Sequence, residues 1–253
     1  RLQTMPSQPA NPPGWNRPNM IPTLNGTGFM FEVRDTFTND FISHAGRSSH
    51  PVLELGCAYG VASIPALEAG ARVVASDMEP QHLEILKSKV PPHLLDQLTL
   101  VVATLPQAEF PAGAFGAILC SRVLHFLDGD DIDTSVGKMA QWLAPGGRLY
   151  LIADTPYGIW RKKIAEFEAG KAAGMRWPGM MIGLHNYLTA EPPPKPIDKP
   201  PFMNVLDPEL MARSCTEAGL EVVEAAFIPR PDFGGFGQMD GRENAGVVAV
   251  KPG

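Results

Sequence analysis

Four residues carry the type and spacing of a binding chemistry: Glu54, Gly56, Gly60 and Asp77. The stretch Pro51-Val52-Leu53-Glu54-Leu55-Gly56-Cys57-Ala58-Tyr59-Gly60 runs from a short apolar segment through an acid into a Gly-x-x-x-Gly turn. Such a turn lets backbone pass close to a ligand where a Cβ would collide. Asp77 stands 23 positions beyond Glu54, directly after Val73-Val74-Ala75-Ser76. From the carboxyl end of a strand its carboxylate can accept hydrogen bonds from both hydroxyls of a ribose. A structural role is the alternative: Ser76 or Asp77 caps the helix that opens at Glu79-Pro80, since short polar side chains satisfy the first free N–H groups of a helix. Both roles are compatible. The chemistry is that of holding a nucleotide-like cofactor, and the Gly-x-Gly-x-x-Gly spacing of dinucleotide enzymes is absent.

These residues need a scaffold that presents strand ends side by side. Apolar runs rich in Val, Leu and Ile predict strands near 51–55, 72–76, 98–102, 115–120 and 147–153, with helices between them at about 61–69, 80–89 and 131–143. Alternation of this kind predicts a parallel, doubly wound α/β sheet with helices on both faces. Pro145-Gly146-Gly147 stops the last of those helices. Phe37 and Phe41, four apart, predict an amphipathic helix within 28–45 that covers the core. Asp207-Pro208-Glu209 starts a helix that Gly219 ends, and strands follow at 220–228 and 245–251, for seven in all.

Two segments break the rhythm. Residues 1–22 hold six prolines among Asn, Gln and Ser, too little apolar surface to offset chain entropy, so they read as an N-terminal arm preceding a domain over 23–253. Residues of about 155–205 interrupt the strand–helix pattern with a helix near 159–173, a Met/Trp/Pro stretch and Glu191-Pro-Pro-Pro-Lys-Pro-Ile-Asp-Lys-Pro-Pro201, and read as an inserted lid. Its Tyr157, Trp160, Met175, Trp177, Met180, Met181, His185 and Tyr187 either line a pocket for a flat or apolar molecule or pack the lid itself. Tyr157, Trp160 and His185 are the candidate substrate contacts, and Gly170, Gly174, Gly179 and Gly183 point to a mobile lid.

Composition narrows the partners. With 21 Lys and Arg against 27 Asp and Glu among 253 residues, and Arg161-Lys162-Lys163 the longest basic run, the chain lacks the basic face that phosphate neutralisation requires. Nucleic acid is not the expected substrate. No run of about 18 apolar residues occurs, and the N-terminal residues show no charged segment leading into an apolar one, so neither a membrane span nor a leader is expected. Cys57, Cys120 and Cys215 are odd in number and widely spaced, which fits a reducing cytoplasm better than a disulfide framework. The sequence does not set the oligomeric state.

Four stretches, in order, resemble the motifs of the class I S-adenosylmethionine-dependent methyltransferases, small-molecule type. They are Val52 to Gly60, Val74-Ala75-Ser76-Asp77, Phe115 to His125, and Leu143-Ala144-Pro145-Gly146-Gly147-Arg148-Leu149. The resemblance spans about residues 28–153 and the last two strands. It implies a seven-stranded, mostly parallel Rossmann-like sheet with S-adenosylmethionine as cofactor. Glu54, Gly56, Cys57, Ala58 and Gly60 would then form the turn around the methionine moiety, Asp77 would hold the ribose, Met78 would cover one adenine face, and Thr104 and Leu105 would edge the adenine. The carbonyl of Ser121 would face the methionine ammonium and Arg34 its carboxylate. The chain departs from the family with Ala58 in place of a usual Gly, and with Thr104 and Gly116 where acids are common. An ordinary φ is expected at Ala58, because it bears a Cβ.

Methyl transfer from a sulfonium needs alignment of the nucleophile and exclusion of water rather than a covalent intermediate. A general base would assist a hydroxyl or ring-nitrogen acceptor. His125, four residues past Ser121, is the candidate, against the plainer role of a packed or capping histidine. No catalytic metal is expected: Asp128, Asp130, Asp131 and Asp133 lack the Gly and Glu of a calcium loop, and charge at a helix start explains them. Cys57 reads as a small packing residue. Two further functions fit the same fold: a nicotinamide oxidoreductase, disfavoured because Tyr150 and Tyr157 are followed four residues on by Asp154 and Arg161 rather than Lys, and a non-catalytic cofactor-binding protein.

Overall fold

The computed structural model describes residues 20–188 and 200–253. Among them, seven strands form one sheet: β3 (Val52–Leu55), β4 (Val73–Asp77), β5 (Leu98–Val102), β6 (Phe115–Ser121), β7 (Leu143–Asp154), β10 (Glu221–Ile228) and β11 (Asn244–Val250). Their order is β10-β11-β7-β6-β3-β4-β5. The five strands from β7 to β5 pair in parallel, and β11 pairs antiparallel with both β7 and β10. Chain order reverses between β3 and β6, and in open α/β sheets ligands bind in the crevice outside the strand ends at such a point. The Gly56 turn and Ser121 flank it.

Both faces of the sheet are covered, which is why the central strands read as unbroken apolar runs. On one face Val52, Val73, Ala75, Leu119 and Ile152 pack against Phe37 and Phe41 of α1 (Thr36–Ala45), α2 (Ser63–Glu68) and Leu83 and Leu86 of α3 (Pro80–Lys89). On the other, Leu53, Leu55, Ile118, Leu149 and Leu151 pack against Ile132, Met139 and Trp142 of α4 (Gly129–Trp142) and Leu210 and Met211 of α6 (Pro208–Glu217). Asp128 is the N-cap of α4 and accepts from the Asp131 N–H at 2.9 Å, the helix-start role expected for the acidic run.

Several boundaries differ from the sequence reading, among them the start of β7, which begins at Leu143 and so contains Pro145-Gly146-Gly147. The helix expected within 28–45 begins only at Thr36, capped by Asp35, and Phe29–Phe31 instead form β2. That strand pairs with β1 (Met20–Pro22) in an antiparallel hairpin. The expected arm over 1–22 therefore ends early: Met20 is buried in the core, and residues 1–19 lie outside the described residues. The lid over about 155–205 falls partly outside them as well. Its described parts, α5 (Ile164–Ala172) and the hairpin of β8 (Met180–Ile182) with β9 (Phe202–Asn204), send Phe167, Met181, Leu184 and Met203 into the main core. The lid glycines serve packing as much as freedom: a Cβ on Gly179 would lie 1.8 Å from the Val205 carbonyl oxygen. Among the described residues no helix is long and apolar enough to cross a membrane.

Candidate functional site

A cavity of about 460 Å³ opens at the switch point, within the range of roughly 300–1,000 Å³ typical of small-ligand sites. Its first wall is the turn after β3. The N–H groups of Gly56 and Cys57 both donate to the Ser76 carbonyl, at 2.8 and 3.0 Å, which ties the turn to β4. Gly56 has φ +71°, and a Cβ there would lie 2.4 Å from Val123 Cγ2. Glu54 is buried and accepts from the Ser63 hydroxyl. Burial pushes its carboxyl up to about 7 against the opposing pull of the Ser63 hydrogen bonds. Cys57 is buried, and burial raises its thiol well above the ordinary range, so it is a packing residue rather than a nucleophile.

Ala58 corrects the sequence expectation. Its φ is +42°, a left-handed conformation that disfavours any residue with a Cβ, and its N–H donates to Asp77 Oδ2 at 2.9 Å. The turn thus holds a residue with a Cβ in the left-handed region, fastened by that hydrogen bond.

Asp77 collects three donors: Ala58 N–H on Oδ2, and Glu79 N–H and His82 Nδ1 on Oδ1, each at 2.9 Å. A carboxylate offers about four lone-pair sites, so one remains, on Oδ2. Capping of α3 falls to Glu79, whose side chain accepts from Gln81 N–H; Asp77 braces the turn before it.

Of the other sequence candidates, Met78, Thr104, Leu105, Ser121, Arg34, His125 and Trp160 also line the cavity. Arg34 is exposed and donates to Asn39 Oδ1 at 3.1 Å. Gly60 does not line it and backs the turn against Ile64 and Leu86. Tyr157 and His185 also lie outside. The Tyr157 hydroxyl donates to Glu168 beneath the Arg242 guanidinium, facing a separate surface groove, and His185 is exposed in a single turn at Leu184–Asn186.

His125 is 1% exposed, and its Nδ1 accepts from the Asp154 backbone N–H at 3.0 Å. A ring nitrogen that accepts is unprotonated, so in the neutral imidazole the proton sits on Nε2 and no lone pair is left over. Burial, against the pull of Asp154, lowers its pKa to about 4. The base expected from the sequence is thus a neutral residue spent on holding the end of β7.

An ionic floor that the sequence reading missed spans the rest of the cavity. Arg122, at φ +60° directly after Ser121, pairs with Asp154, and its guanidinium lies 4.5 Å over the Phe31 ring. Burial works to raise the Asp154 carboxyl, but the Arg122 guanidinium holds it below its ordinary value. Trp160 Nε1 and Asn244 Nδ2 also donate to Asp154, at 3.3 and 2.9 Å. Arg230 forms a two-pronged pair with Asp232 at 2.9 and 2.7 Å, donates to Asn244 Oδ1 at 3.0 Å, and lies 4.4 Å over Phe233. Arg122 carried a local signal, its place within the third motif directly after Ser121. Arg230 and Asn244 carried none, because only the β11–β7 register sets Asn244 opposite Asp154.

A doubly wound sheet with a glycine turn, a strand-end carboxylate and a cavity at the switch point is an architecture that binds nucleotide-like cofactors. The family described as "Methyltransferase domain" matches residues 52–147, the stretch that carries the glycine turn, Asp77 and the strands on either side of the switch point. It is 31% identical over 140 residues to a cypemycin N-terminal methyltransferase from Streptomyces sp., covering 54% of this chain and 52% of the relative. It is 29% identical over 104 residues to an uncharacterised methyltransferase of Mycobacterium tuberculosis, covering 41% and 40%. The match thus spans about half or less of the length of these relatives. The fold is that of a glycopeptide N-methyltransferase crystallised with (S)-adenosyl-L-homocysteine: TM-score 0.58, 18% identity, 85% of this chain and 88% of that one.

Proposed function

We propose that this chain binds S-adenosylmethionine at the β3–β4–β6 end of the cavity and transfers its methyl group to a small molecule held at the Arg122–Arg230 end. The observation that carries the reading is Asp77: a buried carboxylate with one lone pair in reserve, on the same cavity wall as a left-handed turn that brings Gly56 to Ala58 alongside.

When bound, the cofactor supplies a methyl group already activated by its sulfonium. Asp77 holds a ribose hydroxyl, Glu54 and the Gly56–Ala58 backbone receive the methionine moiety, Met78, Thr104 and Leu105 border the adenine, and Ser121 and Arg34 flank the amino-acid end. Phe126, Leu127, Ile159, Trp160 and Met203 exclude water from the acceptor end, which keeps the nucleophile unsolvated and aligned.

Two groups at the acceptor end that could take a proton are engaged: His125 accepts from Asp154 N–H, and Asp154 is ionised beside Arg122. This favours an acceptor that arrives already nucleophilic, a neutral amine nitrogen ahead of a hydroxyl oxygen. The names of the cypemycin and glycopeptide N-methyltransferases point the same way. The net charge of −6 favours a small molecule over nucleic acid. Calorimetry with S-adenosylhomocysteine and with nicotinamide cofactors tests the cofactor, followed by a screen of small amines and phenols for labelled-methyl uptake. Tight nicotinamide binding without adenosylhomocysteine binding overturns the reading.

A further inference from the structure

The hairpin of β1 and β2 covers the cofactor end of the cavity, with Thr23, Asn25, Thr27 and Gly28 in its lining. Two buried side chains, Tyr59 and His82, fasten it. Tyr59, inside the glycine turn, donates its hydroxyl to the Pro22 carbonyl at 3.0 Å. His82, on α3, accepts the Leu24 N–H on Nε2 at 3.0 Å. The two rings meet edge to face at 5.1 Å, and each is 1% exposed.

The Leu24 contact fixes the tautomer of His82. A nitrogen that accepts carries no proton, so Nδ1 carries it and donates to Asp77 Oδ1. Together with Glu79 N–H this uses both lone pairs of Oδ1 and leaves Oδ2 as the oxygen with capacity for a ligand hydroxyl. One imidazole therefore reads the hairpin on one edge and orients the carboxylate on the other. An open hairpin removes the Leu24 donor, and the ring is then free to take the other tautomer, with an unprotonated Nδ1 facing Asp77 and no bond to hold it.

We propose that His82 is a positioning residue that couples closure of the N-terminal hairpin to the setting of Asp77, so that hairpin and cofactor bind cooperatively. The inference rests on the cofactor reading above. By linkage, a ligand that requires the set carboxylate must tighten the hairpin by the same factor as the hairpin tightens the ligand.

The test measures S-adenosylhomocysteine affinity by calorimetry, and amide hydrogen exchange over residues 20–31 with and without saturating S-adenosylhomocysteine, in the wild type, His82→Leu and Tyr59→Phe. In the wild type the ligand slows exchange of the hairpin. His82→Leu, which leaves the Leu24 N–H unsatisfied, should bind about tenfold more weakly or worse, and at ligand concentrations that still saturate the site its hairpin should no longer gain protection. A residue that merely filled space would weaken binding without uncoupling the two readouts. Tyr59→Phe, which keeps the ring packing and touches neither Asp77 nor the cavity, should speed hairpin exchange and weaken binding severalfold through the hairpin alone. Unchanged affinity in a Tyr59→Phe protein with a loosened hairpin, or full ligand-induced protection in His82→Leu, overturns the coupling. A wild type that binds no S-adenosylhomocysteine overturns the cofactor reading and this inference with it.

Discussion

The backbone N–H of Asp154 donates to Nδ1 of His125 at 3.0 Å, which makes the histidine that ends the third motif a structural acceptor for the last residue of β7. Its lowered pKa has a measurable sign. The unfolded chain takes up a proton at His125 below about 6.5, whereas the folded protein does so only near 4. Between those values the unfolded state binds more protons, so stability is intact above 6.5 and falls as pH drops to 4, by about 3 kcal/mol in total. His125→Leu should start less stable at pH 7, with the Asp154 N–H unsatisfied, yet lose about 2 kcal/mol less than the wild type between pH 7 and 5. Urea titrations at the two pH values measure this; parallel losses in both proteins rule it out.

Glu54 titrates in the opposite sense. Its folded pKa, pushed up to about 7 by burial, means that without ligand its contribution to stability is full below 4.5 and is lost as pH rises through 7. A cofactor carrying an ammonium group favours the carboxylate, so binding near Glu54 releases a proton below pH 7. Affinity for S-adenosylhomocysteine should therefore climb with pH, at most about tenfold per unit, and level off above 7. Glu54→Gln should flatten this dependence. Calorimetry from pH 5.5 to 8 in two buffers of different ionisation enthalpy reads the proton directly, and an equally steep curve in the variant sinks the assignment.

What the sequence made legible follows from which forces are local. The strands around Val52, Val73 and Ile118 were readable because both sheet faces are buried, and Asp77 because it is the last residue of its strand. The helix expected from 28 started eight residues late, because Phe29 and Phe31 serve a hairpin whose partner, Met20–Pro22, looked like part of a proline-rich arm. The ionic floor was illegible for a related reason. Arg122, Asp154, Arg230 and Asn244 come from four separate places in the chain: the parallel β6–β7 register brings Arg122 to Asp154, and the antiparallel pairing of β11 with β7 and β10 brings Asn244 and Arg230.

That floor should be costly to break from one side. Arg122 and Asp154 have side chains 19% and 9% exposed, and removing one partner of a buried pair leaves an uncompensated charge, typically a loss of about 3–5 kcal/mol. Asp154→Asn keeps the size and the acceptor for Trp160 but not the charge, and should fall near the lower end of that range. Arg122→Met combined with Asp154→Leu should recover a large part of the loss. Guanidinium denaturation of the three variants checks this; an Asp154→Asn protein within about 0.5 kcal/mol of wild type, the scale of an ordinary surface change, contradicts it.

Gly56 and Ala58 sit two residues apart in the same turn, both at positive φ, and should respond oppositely to exchange. Ala58 at φ +42° bears a left-handed strain of roughly 1–2 kcal/mol, and Ala58→Gly relieves it while adding about 0.4–1 kcal/mol of unfolded-chain entropy. The balance is a gain of about 0.5 kcal/mol, or a Tm higher by one or two degrees, roughly. Gly56→Ala takes on that same strain at φ +71° and also places a Cβ 2.4 Å from Val123 Cγ2, an overlap that costs roughly a further 1–3 kcal/mol. Val123→Ala should remove the overlap and leave the strain, so the double variant should fall between wild type and Gly56→Ala. If instead Ala58→Gly destabilises by more than the entropy term, the methyl group packs against something the turn needs, and the left-handed conformation is not the dominant cost at that position.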